Sequence, residues 1–502
     1  MQKLITIGEE AFPLGYNDKL EPDRLGPEYC SLIQNGFLDN NIIQERTGYS
    51  LAGNDTGEAT PNLLLHPHEV TSGTQLLKIN NNATNTLANL FYWTGSGNWV
   101  KVTSLTFTAS LPCQAVTANG YTYITNGTDT VKRWDSSTNT LTNISAIPIT
   151  MDLVWFHNFL WALNASSYKN RAFFSNIGDP ETFQPANYID INPDDNDYIV
   201  AGVSFQDELL IGKRHSIVGY QGWSELTFTT SATNARLSTH GISAANSFIS
   251  TGKDIHFLSF NGNIPHVKTL SQVLYSGLEY TGLLTDPIEG TMKVLSLGQL
   301  SKACQVFDGR KVWYFMPNGS STYNDLAITY DTVTKGFSKH TGIYAAGACL
   351  SAVSGRDRVY FADSRNSKVY LFDGGNSDNG AAIDFQYISR RFSPDPKRFF
   401  KWKYLFISLR TGAAGNMLVY CSPDDYDFDL QETIPLTQTN SSFPYVFSFG
   451  LGSTTQYTER IELPYGVHQK MRLKLAKNDA NARATVLDYD FMGYQKPVRD
   501  MP

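Results

Sequence analysis

Several things are scarce in this 502-residue chain, and each scarcity removes a class of protein. No apolar run approaches the roughly 18 residues that a membrane-spanning helix needs. The opening residues, Met1-Gln-Lys-Leu-Ile-Thr-Ile-Gly-Glu-Glu10, hold too short an apolar run for a signal peptide. Charged residues make up only 17% of the chain, and the formal net charge is −7. A protein that grips duplex DNA for affinity is ordinarily basic, so that role is disfavoured. An acidic wall does suit a protein past which DNA must slide. The five cysteines, Cys30, Cys113, Cys304, Cys349 and Cys421, are odd in number and widely scattered. None has metal-ligand or redox spacing, so they read as buried thiols in a reducing compartment. Asn-x-Ser/Thr triplets, as at Asn126 and Asn164, read as chance products of a composition rich in Asn and Thr.

Recognisable chemistry is scarce too. Gly-x-Ser-x-Gly, His-Glu-x-x-His, Walker A and dinucleotide fingerprints are all missing. His66-Pro-His68 has the residue type of a metal site, but it lacks a nearby third ligand and reads as a loop. Asn192-Pro-Asp-Asp-Asn-Asp197 and Ser422-Pro-Asp-Asp-Tyr-Asp-Phe-Asp429 have the composition of calcium loops. Neither has the ligand order with a downstream bidentate Glu, so both read as turns between strands. A propeller glycosidase needs paired carboxylates across a pocket, and no sequence box marks such a pair. The expectation is a protein that is not an enzyme and carries no cofactor or metal.

What the chain has in quantity is a repeated unit. A β-rich run with buried aromatics turns at Asn-Gly, Asp-Gly or Gly-Arg and returns as a second strand. Examples are Gly120–Ile124 with Val131–Trp134, Val203–Ile211 with Ser216–Tyr220, Val306–Phe315 with Leu326–Asp331, and Val353–Phe361 with Lys368–Asp373. Repetition at this scale means one supersecondary unit used many times. Strand–turn–strand units of this kind are the blades of a β-propeller, here about six or seven of them. The predicted class is all-β.

The organisation follows from changes of texture. Residues 1–60 read as an extended N-terminal arm with turns, within which 26–36 has the Pro and Gly limits of one short helix. Residues 61–378 hold the propeller repeats. The polar run Gly374–Gly380 marks a boundary. Residues 381–495 alternate regularly, in segments such as Ile383–Ser389, Lys403–Leu409, Tyr445–Phe449 and Met471–Leu475, and predict a C-terminal β-sandwich-like domain.

One cluster stands out from the acidic background. Arg390, Arg391, Lys397, Arg398, Lys401 and Lys403 interleave with Phe392, Phe399, Phe400 and Trp402. Two readings stand side by side. One is a polyanion contact or charged subunit interface. The other is a strand-flanking loop whose aromatics enter the core while its cations stay solvated.

Together, an arm ending in Arg46-Thr-Gly-Tyr49, aromatic blades such as Leu209–Ile217, and a basic-aromatic entry at Lys397–Leu405 into a terminal β-domain resemble a known family. The chain looks like the propeller-containing tail nozzle, hub or packaged-DNA stabilisation proteins of short-tailed bacteriophages. That resemblance implies a structural virion protein of the tail, assembled in the bacterial cytoplasm. Six copies would form a ring below the portal and its adaptor, and tail fibres or spikes would attach outside. The lumen would hold back packaged DNA and later conduct it, through non-specific contact. Arg46, Gly48 and Tyr49 would take part in docking the arm on a neighbour or on the adaptor. Two rival readings belong to other classes. One is a glycan-binding or glycan-cleaving propeller of a tail fibre, with a pocket lined by exposed Trp and carboxylates. The other is a cellular propeller scaffold for a protein partner.

Overall fold

The computed structural model describes residues 4–8, 14–39, 42–58, 61–71, 73–221, 236–270, 283–372, 374–395, 397–410, 415–424, 426–436, 456–480 and 483–496. The chain is nearly all β and forms two compact units. One comprises Leu51–Ala327 and Ile343–Leu371; the other comprises Met1–Ser50, Ile328–Gly342 and Phe372–Pro502.

The first unit is a β-propeller. Among the described residues, seven antiparallel sheets begin with the strands Asn62–Val70, Gln114–Ala118, Thr150–Phe156, Ile199–Phe205, Ile249–Ser250, Cys304–Phe307 and Ala345–Ser351. Each first strand lies against the first strand of the next sheet, and Ala345–Ser351 lies against Asn62–Val70, so the ring closes. Within blade 3, Thr150–Phe156 pairs with Phe159–Ala165, then Tyr168–Phe174, then Tyr188–Asp190. Tight turns with left-handed residues, such as Asn119-Gly120 between the first two strands of blade 2, allow this meander. The core lies between blades. Phe156, Trp161 and Phe174 of blade 3 pack on Ile199, Leu209 and Tyr220 of blade 4. Trp134 and Ile124 of blade 2 pack on Leu77, Ile79 and Leu90 of blade 1. Alternating strands bury both faces in this way, which explains why the aromatics recur in every repeat.

Closure between blades 1 and 7 is made by buried polar groups as well as by apolar packing. Leu76, Phe91 and Trp93 meet Cys349, Tyr360 and Val369 in one cluster. Beside them Asn62 Nδ2 donates to the carbonyls of Asp363 at 2.6 Å and Asn366 at 2.8 Å. Asn62 Oδ1 in turn accepts from Asn80 Nδ2 at 2.6 Å. Lys78 Nζ donates to the Ser367 carbonyl and lies 4.8 Å from the Trp99 ring centroid. Burial lowers the Lys78 ammonium to about 8, against the pull of Asp55 and Glu58.

The second unit is a β-sandwich. One sheet has the order Gly36–Asp39, Ile42–Glu45, Thr485–Gln495, Phe400–Arg410, Gln456–Glu462, with Leu4–Gly8 also paired to Thr485–Gln495. The facing sheet has Phe337–His340, Leu32–Gln34, Phe385–Ile388, Met471–Lys477, Asn416–Pro423 and Asp429–Pro435. The faces meet through Tyr387 and Tyr489, whose hydroxyls are 2.9 Å apart, and through Phe392, Trp402 and Phe491. Along Met471–Lys477, residues 471, 473, 475 and 477 are buried and the residues between them face outward, the period of two that the sequence showed.

These units divide the chain differently from the expected ranges 1–60, 61–378 and 381–495. Residues 1–50 group with the C-terminal segment, because their short strands add to both sheets of the sandwich. The helix expected within 26–36 is replaced by the strand Leu32–Gln34, with Ile33 buried and Leu32 paired to Ile388. Tertiary pairing overrides the local helix limits there. The strand expected at Tyr445–Phe449 lies outside the described residues.

One titration is built into the propeller. Asp152, on the first strand of blade 3, accepts the Gly202 N–H of blade 4 at 2.8 Å. Burial raises its carboxyl from 3.8 to about 7. In that window the folded chain holds a proton that the unfolded chain has released, so this group makes stability fall as pH rises. Asp152→Asn is expected to remove that component. Urea denaturation between about pH 4 and pH 7 should show a smaller loss of midpoint with rising pH in the variant than in the parent.

Candidate functional site

Arg46 follows the strand Ile42–Glu45 and turns inward, with its side chain 1% exposed. Its Nη1 and Nη2 grip both carboxylate oxygens of Asp378, Nη1 at 2.7 Å from Oδ1. Nε donates to Asn35 Oδ1 at 3.0 Å, and Nη1 also donates to the Thr47 carbonyl at 3.0 Å. Asn35 is itself a junction: its Nδ2 reaches Thr341 Oγ1 at 3.0 Å and the Asp384 carbonyl at 2.9 Å. Burial raises the Asp378 carboxyl, and the Arg46 bond and charge offset part of that rise. A Cβ at Gly48 would sit 2.0 Å from the Ser377 carbonyl oxygen, so only glycine fits. Tyr49 donates its hydroxyl to the Gly342 carbonyl at 2.9 Å, and its own carbonyl accepts from Asn379 at 2.7 Å. The three residues expected to dock an arm therefore dock on residues 341–342 and 375–379 of their own unit.

A second buried charge group lies alongside. Glu45 accepts from Lys477 Nζ at 3.2 Å and from the Ala484 N–H at 2.7 Å, with both side chains at most 1% exposed. Burial raises the Glu45 carboxyl above its ordinary range, offset in part by Lys477.

The basic-aromatic cluster separates. On the strand Phe400–Arg410, Phe400 and Trp402 are buried while Lys401 is exposed, as the core-and-solvent reading expects. Lys403 lies 5.5 Å from the Tyr404 ring centroid. Lys397 is exposed, and Arg398 pairs with Asp395 at 3.2 Å. Arg390 stacks 5.1 Å from the Phe392 ring centroid. Arg391 Nη1 pairs with Asp23 Oδ1 at 2.9 Å. Lys470 Nζ takes the other oxygen of Asp23, at 2.5 Å, and Arg472 lies on the neighbouring strand. Sequence reasoning missed these last three residues. The signal for Lys470 and Arg472 was Lys470-Met-Arg-Leu-Lys474, cations alternating with apolar residues, and Asp23 had none.

The remaining candidates prove to be internal fastenings. His66 and His68 lie on a strand, not in a loop, and are joined through hydroxyls: His66 Nε2 to Thr117 Oγ1 at 3.0 Å, Thr117 to Thr122 at 2.8 Å, Thr122 to His68 Nδ1 at 2.8 Å. Burial lowers His66 to about 4, so it is neutral at pH 7. The acidic loop at 192–197 does enclose a cation, and that cation is a lysine. Lys213 Nζ, fully buried, donates to the carbonyls of Ile191 at 3.1 Å and Asn192 at 3.2 Å and to Asp195 Oδ1 at 2.6 Å. In the second loop Asp424 accepts the Gln469 and Lys470 N–H groups at 3.0 and 2.8 Å and pairs with His468 Nδ1 at 3.0 Å. All five cysteines are buried, and burial pushes the Cys113 and Cys304 thiols up to about 12.

No protein-family model matches this chain, and no curated protein matches it in sequence. Among solved structures it is similar to the Neurospora crassa Pan2 WD40 domain, with a TM-score of 0.40 and 8% identity. That match covers 62% of this chain and 89% of the WD40 chain.

Arg46→Ala leaves Asp378 buried and uncompensated, a loss of about 3–5 kcal/mol. Guanidinium denaturation should show a lower midpoint by that amount. Arg46→Lys should recover little of it, because one ammonium cannot replace the bidentate fork.

Proposed function

We propose that this chain is a non-catalytic structural component of a short bacteriophage tail, a nozzle or hub subunit that assembles with its own copies into a ring. The supporting observation is Arg46–Asp378. This pair comes from the Arg-Thr-Gly-Tyr element of the family resemblance, and it fastens the first 50 residues to the segment that begins at Phe372. The third element of the resemblance, Lys397–Leu405, lies in that same unit. A chain whose buried ion pairs and hydrogen bonds tie distant segments suits a load-bearing block better than a mobile catalyst.

In this reading six copies form a ring by heterologous contacts that close by rotation. The portal–adaptor lies above, fibres or spikes attach outside, and packaged DNA passes through the lumen with weak, non-specific contact. The net charge of −7 is compatible with weak contact to phosphates, so that DNA first held back can later be conducted. The glycan reading asks for exposed tryptophan. Among the described residues Trp93, Trp99, Trp134, Trp161, Trp313 and Trp402 are buried and Trp155 is partly buried.

Light scattering of the purified chain, alone and with a candidate portal–adaptor complex, tests the proposal. A particle of about six copies is expected, formed alone or on the adaptor. A strict monomer that ignores the adaptor would sink it.

A further inference from the structure

The outer face of the sandwich carries a group of cations that the proposed assembly leaves unused. Phe392 and Met471 exchange backbone hydrogen bonds at 2.8 and 3.0 Å. Arg391 precedes Phe392 and Arg472 follows Met471, so two arginines are cross-strand neighbours. Like charges in that position repel. Lys470, one residue away, adds a third cation.

Asp23 pairs with two of these cations, and the nearby Asp424 accepts the Lys470 backbone N–H at 2.8 Å and pairs with His468. Asp23 sits in the short turn Pro22–Arg24, brought there by the bond from the Arg391 N–H to the Pro22 carbonyl at 3.2 Å. Its two oxygens are divided between Arg391 at 2.9 Å and Lys470 at 2.5 Å. Burial pushes the Asp23 carboxyl up, but the Lys470 bond and the charges of Arg391 and Lys470 bring it below its ordinary value. Arg472 receives no such partner. Among the described residues it makes no ion pair and no side-chain hydrogen bond, and its Nε is buried without a partner. It is partly buried and lies 5.3 Å from the Phe428 ring centroid. Burial, then the charge of Arg391, lowers its pKa, with Asp23 opposing.

A partly desolvated guanidinium that faces another arginine and has no acceptor is costly to keep. A small oxyanion would remove that cost by accepting from Arg472 while neutralising its neighbours. Guanidinium forks match the tetrahedral oxygens of phosphate, and the aromatic ring beneath Arg472 limits its freedom. We propose that Arg391, Lys470 and Arg472 form a binding site for a phosphate-type oxyanion, supplied either as free phosphate or as a phosphodiester of a polynucleotide. Asp23 occupies part of the site in the absence of that anion. The inference does not rest on ring formation, since every residue in it belongs to one unit of one chain.

The test titrates the full chain with inorganic phosphate at constant ionic strength, balanced with chloride, and reads melting temperature and calorimetric affinity. The parent should show saturable stabilisation beyond the chloride control. Arg472→Gln should bind phosphate at least about tenfold more weakly. Asp23→Asn should melt lower without phosphate and bind it more tightly, because the competing carboxylate is gone. Since these two variants move affinity in opposite directions, misfolding of one cannot imitate the pattern. A second arm adds a mixed-sequence single-stranded oligonucleotide as competitor. Displacement of phosphate assigns the site to phosphodiesters, and retention assigns it to free phosphate. No phosphate effect beyond chloride, or equal affinity in all three proteins, would overturn the proposal.

Discussion

A buried polar group that joins two distant stretches of chain must find all its partners, or it costs more than it gives. Both bodies of this protein are fastened by buried polar groups of this kind. In the sandwich, Arg46 is held by Asp378, Asn35 and the Thr47 carbonyl, so segments more than 300 residues apart in sequence meet at one guanidinium. In the propeller, Asn62 and Lys78 of blade 1 hold the 363–368 turn of blade 7. Apolar packing between blades would form in many nearly equivalent registers. Carbonyls that need a donor at one place select a single register, because a slip would leave them unpaired.

The same economy governs charge. A chain with few charged residues uses several of them internally. Lys213 is the cation of an acidic loop, Lys477 is the counterion of Glu45, and Lys78 lies over Trp99. Lys213 gathers oxygens of the 191–195 stretch around one positive centre, as a metal ion does in other small loops. Where cations are neither enclosed nor fully paired, as at Arg472, the departure from this pattern is what draws attention to the site.

Much of the architecture could be read directly. The aromatic-bearing runs Tyr121–Thr125, Phe159–Ala165, Lys311–Met316 and Arg358–Asp363 are second strands of blades, as their repetition indicates. Strict alternation along Met471–Lys477 and Thr485–Gln495 reflects one buried face. The candidate residues were only partly legible. Arg46, Gly48 and Tyr49 stood out as a motif, but their acceptors at 342 and 375–379 could not be paired with them from sequence. Lys470 and Arg472 share one alternating run, but Asp23 lies 447 residues from Lys470 in sequence, so no local pattern joins it to them.

The difference has a physical cause. Periodicity and turn chemistry are properties of short stretches, written in which residues tolerate a pleat or a left-handed turn. The sequence by itself therefore determined the strands, the repeated blade and the all-β class. Which edge each strand covers depends on energies summed over residues hundreds of positions apart. The tertiary structure alone decided that the first 50 residues complete a C-terminal sandwich. It also decided that an acidic loop encloses a lysine, and that two arginines flank one antiparallel β-bridge.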